Sequence, residues 1–153
     1  MSAETPRVPL PPPILYAVAI GLGLWLERPL PWPLPGGALR FWSGVVLIAL
    51  AIGLFGLCLR ELRRHQTTIN PHRAASNLVE TGPFRFSRNP IYLSLNVLLI
   101  GVGLLASSTW VLLMLLWVLP VMQRLVVARE EEHLRWRFGQ EYADYCARVR
   151  RWL

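Results

Sequence analysis

The sequence predicts an all-α integral membrane protein: about four transmembrane helices, then a C-terminal cytoplasmic amphipathic helical tail. Three observations carry that prediction. The chain of 153 residues is 54% hydrophobic and only 16% charged, with a mean hydropathy of +0.39, whereas soluble domains carry roughly 25% charge. Its apolar residues gather into four runs without period-two alternation, and in lipid a helix satisfies its own backbone groups. All 16 basic residues are arginines, and most of them flank those runs. A net charge of +7 would also suit a nucleic-acid binder, but that requires a soluble basic face. Arginines bracketing apolar segments fit a membrane surface instead.

Each element follows in order. The start, "MSAETPRVPLPPP", lacks the basic stretch and apolar core of a signal peptide and reads as a short disordered lead-in. The first apolar run, Ile14 to Leu26, is short of the about 20 residues that a span takes. The proline-stiffened "ERPLPWPLPGG" leads to the second run, Phe41 to Leu59, which is long enough. A polar segment from Arg60 to Pro90 follows, holding Arg60, Arg63, Arg64, Arg73, Arg85 and Arg88. The third run, Ile91 to Ala106, is also short and needs its flanks or a thin membrane to span. The uncharged "ASSTW" predicts a tight hairpin to the fourth run, Trp110 to Val127, which meets the length of a span. Gly101 and Gly103 sit mid-helix, where they predict close helix packing rather than a nucleotide loop.

The tail from about Arg124 to Leu153 alternates charges with Leu134, Phe138, Tyr142, Tyr145, Cys146, Val149 and Trp152 at helical spacing. Gly139 predicts a break in it, and such a helix can lie on a membrane surface or fold back as a lid. With four spans, the loop 60–90 and the tail share one side, while the other holds only Arg28 and Arg40. The positive-inside rule then places the loop and the C-terminus in the cytoplasm. Cys58 and Cys146 are far apart and have neither metal nor redox spacing, so both are read as unremarkable.

Three features bear on chemistry. Glu130-Glu131-Glu132 follow the fourth run; they are either a solvated face with Arg124, Arg129 and Arg135 as helical neighbours, or carboxylates turned toward a ligand. "SRNPIY" is a helix start, with Asn89 as cap and Pro90 as first helical residue, and Arg88 and Tyr92 suit interfacial anchoring. Its approach, "NLVETGPFRF", adds a Gly-Pro turn and two aromatic faces, Phe84 and Phe86, on which a purine could stack. "INPHRAASN" offers His72 as a conceivable base, but single histidines such as His65, His72 and His133 are more often structural, and no metal set forms.

Taken together, "LVETGPFRFSRNPIY", an apolar hairpin and "REEEHLRWRFGQEYADYCARVRRWL" resemble the isoprenylcysteine carboxyl methyltransferase and phospholipid methyltransferase family of bacterial membrane enzymes. The resemblance covers about Thr68 to Leu153 and divides the chain into a generic part, 1–66, and a methyltransferase core, 67–153. Glu130-Glu131, Leu134, Phe138-Gly139, Tyr142 and Tyr145 match the family's second motif in full. It implies an S-adenosylmethionine site contacting Ser76, Asn77, Leu78, Val79, Gly82, Phe84, Arg88, Asn89, Pro90, Ile91 and Tyr92. It further implies Glu130 and Glu131 as catalytic residues, Arg129 and Glu130 on the substrate side, and the bacterial inner membrane as location. Three positions depart from the pattern: Asn89 replaces the family's His, Ser94 replaces a Gly, and Val126 stands where carboxyl methyltransferases carry a substrate arginine.

The expected reaction is methyl transfer from S-adenosylmethionine to a lipophilic acceptor, a small molecule or lipid, bearing a carboxylate, amine or thiol. Membrane lipids are the surrounding partner; no metal and no nucleic acid are expected, and the oligomeric state is left open. The competing reading is a non-enzymatic scaffold or transporter subunit whose arginines bind anionic lipid. That reading leaves the two spaced motifs without a purpose.

Overall fold

The computed structural model describes residues 11–67 and 77–152. Residues 1–10 of the lead-in, His72, Arg73 and the expected cofactor contact Ser76 lie outside the described residues, whereas Pro12 and Pro13 at its end already belong to the first helix. The elements are α1 (Pro12–Leu26), α2 (Gly37–Arg64), α3 (Pro90–Leu105), α4 (Thr109–Leu113), α5 (Leu115–Met122), α6 (Ala128–Phe138) and α7 (Gln140–Arg148). A π turn, Gln123–Val127, joins α5 to α6, so Thr109–Phe138 runs on as one 30-residue helix. Among the described residues only one isolated bridge, Pro33 to Ser108, has strand pairing.

Among the described residues two helices are long and apolar enough to cross a membrane, Gly37–Arg64 and Thr109–Phe138; α1 and α3 are shorter apolar helices beside them. The helices bury Leu15, Tyr16, Ala19, Leu99, Val111, Val118 and Met122 between them. Meanwhile Trp42, Leu50 and Ile52 of α2 and Leu116 of α5 stay more than half exposed on the outside. An apolar exterior of this extent suits hydrocarbon rather than water.

Close approach of the helices depends on glycine, as the mid-helix pair predicts. A Cβ on Gly101 would lie 2.8 Å from Ile48 Cγ1, and one on Gly44 would lie 2.8 Å from the Leu105 amide nitrogen, so α2 and α3 meet backbone to backbone. The hairpin between α3 and α4 is as tight as "ASSTW" implies. Ser107 takes a positive φ of 56°, and the Ser108 hydroxyl accepts from the Val111 amide to cap α4. At that same end Glu27 accepts from the Trp32 amide and the Ser108 hydroxyl, and Arg40 donates to the Leu104 carbonyl. The opposite end, where α2, α3 and α6 finish or begin, carries the loop and the tail.

Candidate functional site

The loop is fastened to α2 before it reaches α3. Thr81 donates its hydroxyl to the Glu61 carboxylate, and His65 Nε2 stands 2.9 Å from the same hydroxyl. Gly82 has a φ of 59°, and a Cβ there would come within 3.2 Å of the Glu61 side chain. Both facts favour glycine as the first residue of the 3₁₀ turn Gly82–Arg85. The next residues are tied to the far end of the chain. Ser87 Oγ donates to the Arg151 carbonyl at 3.2 Å, Asn89 Nδ2 donates to it at 3.1 Å, and the Arg88 amide donates to the Arg150 carbonyl at 3.0 Å. Tyr145 adds its hydroxyl to the Phe84 carbonyl at 2.7 Å, and Arg148 pairs with Glu80 at 2.8 Å.

This geometry corrects one expectation. Asn89 occupies the N-cap position of α3 and Pro90 follows at its start, but the Asn89 side chain makes no capping bond. The reason is competition: its amide is drawn to the Arg151 carbonyl, and its own backbone amide is satisfied by Ser87 Oγ at 3.2 Å. Asn89 is therefore a tie between loop and tail.

The π turn decides how the glutamates point. On an unbroken α-helix the inward face of Val118, Met122 and Val126 would return three or four residues later, at Arg129 and Glu130. The π turn adds a residue to the register. Val126 and Val127 are both buried, and the inward face resumes at Glu131, which is 3% exposed. Glu130 is left half-buried at the edge of that face, where its Oε1 accepts the Tyr92 hydroxyl at 2.6 Å.

The two neighbours consequently differ in chemistry. Glu131 is saturated by cations. Arg151 donates to it through Nε at 2.9 Å and Nη2 at 2.6 Å, while Arg88 Nη1 lies at 3.3 Å and Arg135 at 3.7 Å. Glu130 has a phenol for a partner, and it stands beyond Val127, the last residue of the apolar run. Burial pushes its carboxyl up to about 7, while the Tyr92 hydrogen bond pulls the other way. A carboxyl in that range can hold or accept a proton near neutral pH.

The two sequence motifs thus meet across the hairpin, Tyr92 from one and Glu130 from the other. In comparison with known proteins, residues 39–141 match the model of the phospholipid methyltransferase family. The chain belongs to this family. A nickel-cobalt-cadmium resistance protein, NccN, of Alcaligenes xylosoxydans xylosoxydans is 29% identical over 101 residues, 65% of this chain and 47% of that protein. The chain therefore spans about half the length of NccN. An uncharacterised protein of Haemophilus influenzae is 36% identical over 63 residues, which is 41% of this chain and all of that protein. No solved structure matches the chain.

The remaining family positions can now be placed. Leu78 packs with Tyr142 and Tyr145 in a small cluster beneath the tail, and Val79 is buried. Asn77 donates its side-chain amide to the His65 carbonyl at 2.9 Å, which anchors the loop's entry. Phe84 is half-buried and Phe86 is 72% exposed, so both aromatic rings offer free surface. Ile91 and Tyr92 pack against the main core, and Arg129 is exposed. Val126 lies inside that core at 3% exposure, so the departure from arginine there is filled with hydrocarbon.

Arg88 is not an exposed interfacial anchor. Its side chain is 12% exposed, one end set against Glu131 and the Cys146 sulfur, and its Nε is buried with no partner among the described residues. Cys146, read from sequence as unremarkable, belongs to this cluster. Ser87, Arg151 and Thr81 also contribute and carried no sequence signal beyond ordinary polarity. Among the described residues no group of three or more His, Cys, Asp or Glu could hold a metal.

Proposed function

We propose that the chain is an S-adenosylmethionine-dependent methyltransferase acting on a lipophilic acceptor at the cytoplasmic boundary of a bacterial inner membrane. The observation that carries this reading is the hydrogen bond between Tyr92 and Glu130, which joins the two family motifs at the mouth of the helix bundle. The orientation rests on the arginines of the loop 60–90 and the tail, which outnumber Arg28 and Arg40 at the other end.

The residues present suit the cofactor. Its adenine needs flat apolar surface, which Phe84 and Phe86 offer, and its carboxylate needs a donor, for which the orphaned Arg88 Nε is a candidate. When bound, the cofactor supplies a methyl group on a positively charged sulfur. Asn77, Leu78, Val79, Gly82, Asn89, Pro90 and Ile91 would shape the rest of that pocket, with α1 and α2 as its support.

Glu130 is the residue we assign to the acceptor. A half-buried carboxyl titrating near 7 can take the proton that an amine or thiol releases as it is methylated, whereas a carboxylate acceptor needs no base. Tyr92 holds it in place. Glu131, locked by Arg151 and Arg88, acts by positioning: it fixes the tail over the loop and so keeps water from the site. Arg129, beside Glu130 on the exposed face, can meet an anionic headgroup.

Calorimetry of the detergent-solubilised protein with S-adenosylmethionine tests the reading, followed by transfer of labelled methyl into membrane extracts. We expect saturable binding, and transfer that falls at least tenfold in Glu130→Gln. No binding at millimolar cofactor would defeat the proposal in favour of a lipid-binding scaffold.

A further inference from the structure

A polar contact joins α1 to α3 inside a core that is otherwise largely apolar. Tyr16, 2% exposed, donates its hydroxyl to Asn96 Oδ1 at 2.7 Å, and Asn96 is itself 8% exposed. Neither residue belongs to the two family motifs, and α1 lies before residues 39–141, which match the family model. The contact nevertheless adjoins the candidate site. Asn96 is four residues after Tyr92, so the two share a face of α3. Helical side chains lean toward the N-terminus, which sets Asn96 over the turn of Tyr92. Tyr16, Tyr92, Val126 and Val127 lie in one buried cluster, and the two phenols are near enough to interact electrostatically.

We propose that Tyr16 is a positioning residue of the site: by occupying the Asn96 carbonyl, it leaves the Tyr92 hydroxyl to Glu130. The inference rests on the methyltransferase reading, in which Glu130 takes the acceptor's proton, and it adds a residue of α1 to that machinery.

Competition for one hydroxyl is the physical basis. A buried amide carbonyl needs a donor, and away from water only a neighbouring side chain supplies one. Tyr16 does so in the native chain. Without that hydroxyl, the phenol one turn away, Tyr92, has two acceptors to choose from. An ionised Glu130 holds Tyr92 by a charge-assisted bond, and a protonated one holds it less strongly. Transfer of Tyr92 to Asn96 therefore favours the protonated carboxyl and makes Glu130 a poorer acceptor of protons at neutral pH. Arg129 and Glu131 adjoin Glu130 in the chain, and Arg88 and Arg151 are held at Glu131. None of these charges changes when Tyr16 or Asn96 is replaced, so a shift at Glu130 reports the Tyr92 hydroxyl.

Infrared titration of the full chain in detergent reads the Glu130 carboxyl directly, its C=O band being assigned by its loss in Glu130→Gln. The wild-type band should titrate at about 7. In Tyr16→Phe the midpoint should rise by about one pH unit, the effect of losing one hydrogen bond to a carboxylate. Asn96→Leu alone, which leaves Tyr92 no second acceptor, should not raise it. Tyr16→Phe combined with Asn96→Leu removes both partners and should return the midpoint to the wild-type value. Gly23→Ala is the structural control. Its Cβ would lie 2.7 Å from Val111 Cα, so α1 should loosen and the thermal midpoint fall while the Glu130 titration stays in place.

An unmoved midpoint in Tyr16→Phe overturns the proposal. So does a raised midpoint in Asn96→Leu or in the double variant, or a shift of the same size in Gly23→Ala. S-adenosylmethionine binding, measured by calorimetry on the same samples, tests the methyltransferase reading separately. Its absence in the wild type would defeat that reading, while the infrared result would still decide whether Tyr16 governs the Tyr92–Glu130 pair.

Discussion

Replacing Arg151 with methionine should loosen the tail while leaving the helix bundle folded. The change keeps most of the apolar stem and removes two charge-assisted hydrogen bonds, at 2.9 Å and 2.6 Å, to a carboxylate that is 3% exposed. Breaking a fully buried ion pair costs about 3–5 kcal/mol. Two facts reduce that figure here. The Arg151 side chain is 36% exposed, and Glu131 keeps Arg88 at 3.3 Å and Arg135 at 3.7 Å. We therefore expect a loss of about 1–2 kcal/mol, discounted for solvent screening. At about 2–4 °C per kcal/mol for a chain of this size, the midpoint of thermal unfolding falls by about 2–8 °C.

A double-mutant cycle with Glu131→Gln isolates the pair, and the coupling should be about 1 kcal/mol or more. Hydrogen exchange adds a local readout. The Arg88 amide, bonded to the Arg150 carbonyl at 3.0 Å, should lose protection in Arg151→Met, while the amides of α2 and α3 keep theirs. Coupling indistinguishable from zero, with Arg88 protection unchanged, would refute the claim that this pair closes the tail over the loop.

Further outcomes follow from the same geometry. The Glu130 carboxyl, raised by burial from its ordinary value of 4.5 to about 7, favours the protonated form in the folded state. Its contribution to stability is thus present below pH 4.5 and is lost as pH rises to about 7, and Glu130→Gln should flatten that part of a stability–pH profile. As a base Glu130 must be ionised, so methyl transfer should rise with pH through about 7. Tyr92→Phe removes the hydrogen bond that lowers the Glu130 pKa, so this rise should move to higher pH, and an unmoved profile would separate Tyr92 from Glu130. Gly44→Ala and Gly101→Ala should each cost about 1–3 kcal/mol, measured by chemical unfolding in mixed micelles, because their new methyl groups meet α3 and α2 at 2.8 Å. Gly53→Ala, with nothing within 4 Å, should be neutral or stabilise by about 0.5–1 kcal/mol. Ser87→Ala with Asn89→Leu should make the tail cleavable by trypsin at lower enzyme concentrations, since both donors to the Arg151 carbonyl are gone.

Much of the fold was legible because lipid leaves a chain few options. Apolar runs must be helices, an uncharged "ASSTW" must be a short hairpin, and glycines mid-helix must admit a close neighbour, as Gly101 does the backbone of Ile48 and Gly103 the side chain of Leu112. The break at Gly139 was legible for a related reason, since its φ of 50° is a conformation that other residues seldom adopt. The number of helices long enough to span was less so: the fourth apolar run gains a full polar extension to Phe138, whereas α1 and α3 stay short.

By itself, then, the sequence determined the helices, the hairpin, the close-packed glycine surfaces and the two family motifs. These depend on local composition and spacing, which any reader of the chain can see. Only the tertiary structure decided which partners the candidate site residues take. Glu130 and Glu131 are adjacent and chemically identical in the sequence. One added residue in the helix register, at Gln123–Val127, locks Glu131 into arginines and leaves Glu130 to Tyr92. Asn89 reads locally as a helix cap, and a carbonyl 62 residues away takes its side chain instead. Long-range contacts such as these set burial and partners, and burial and partners set the chemistry.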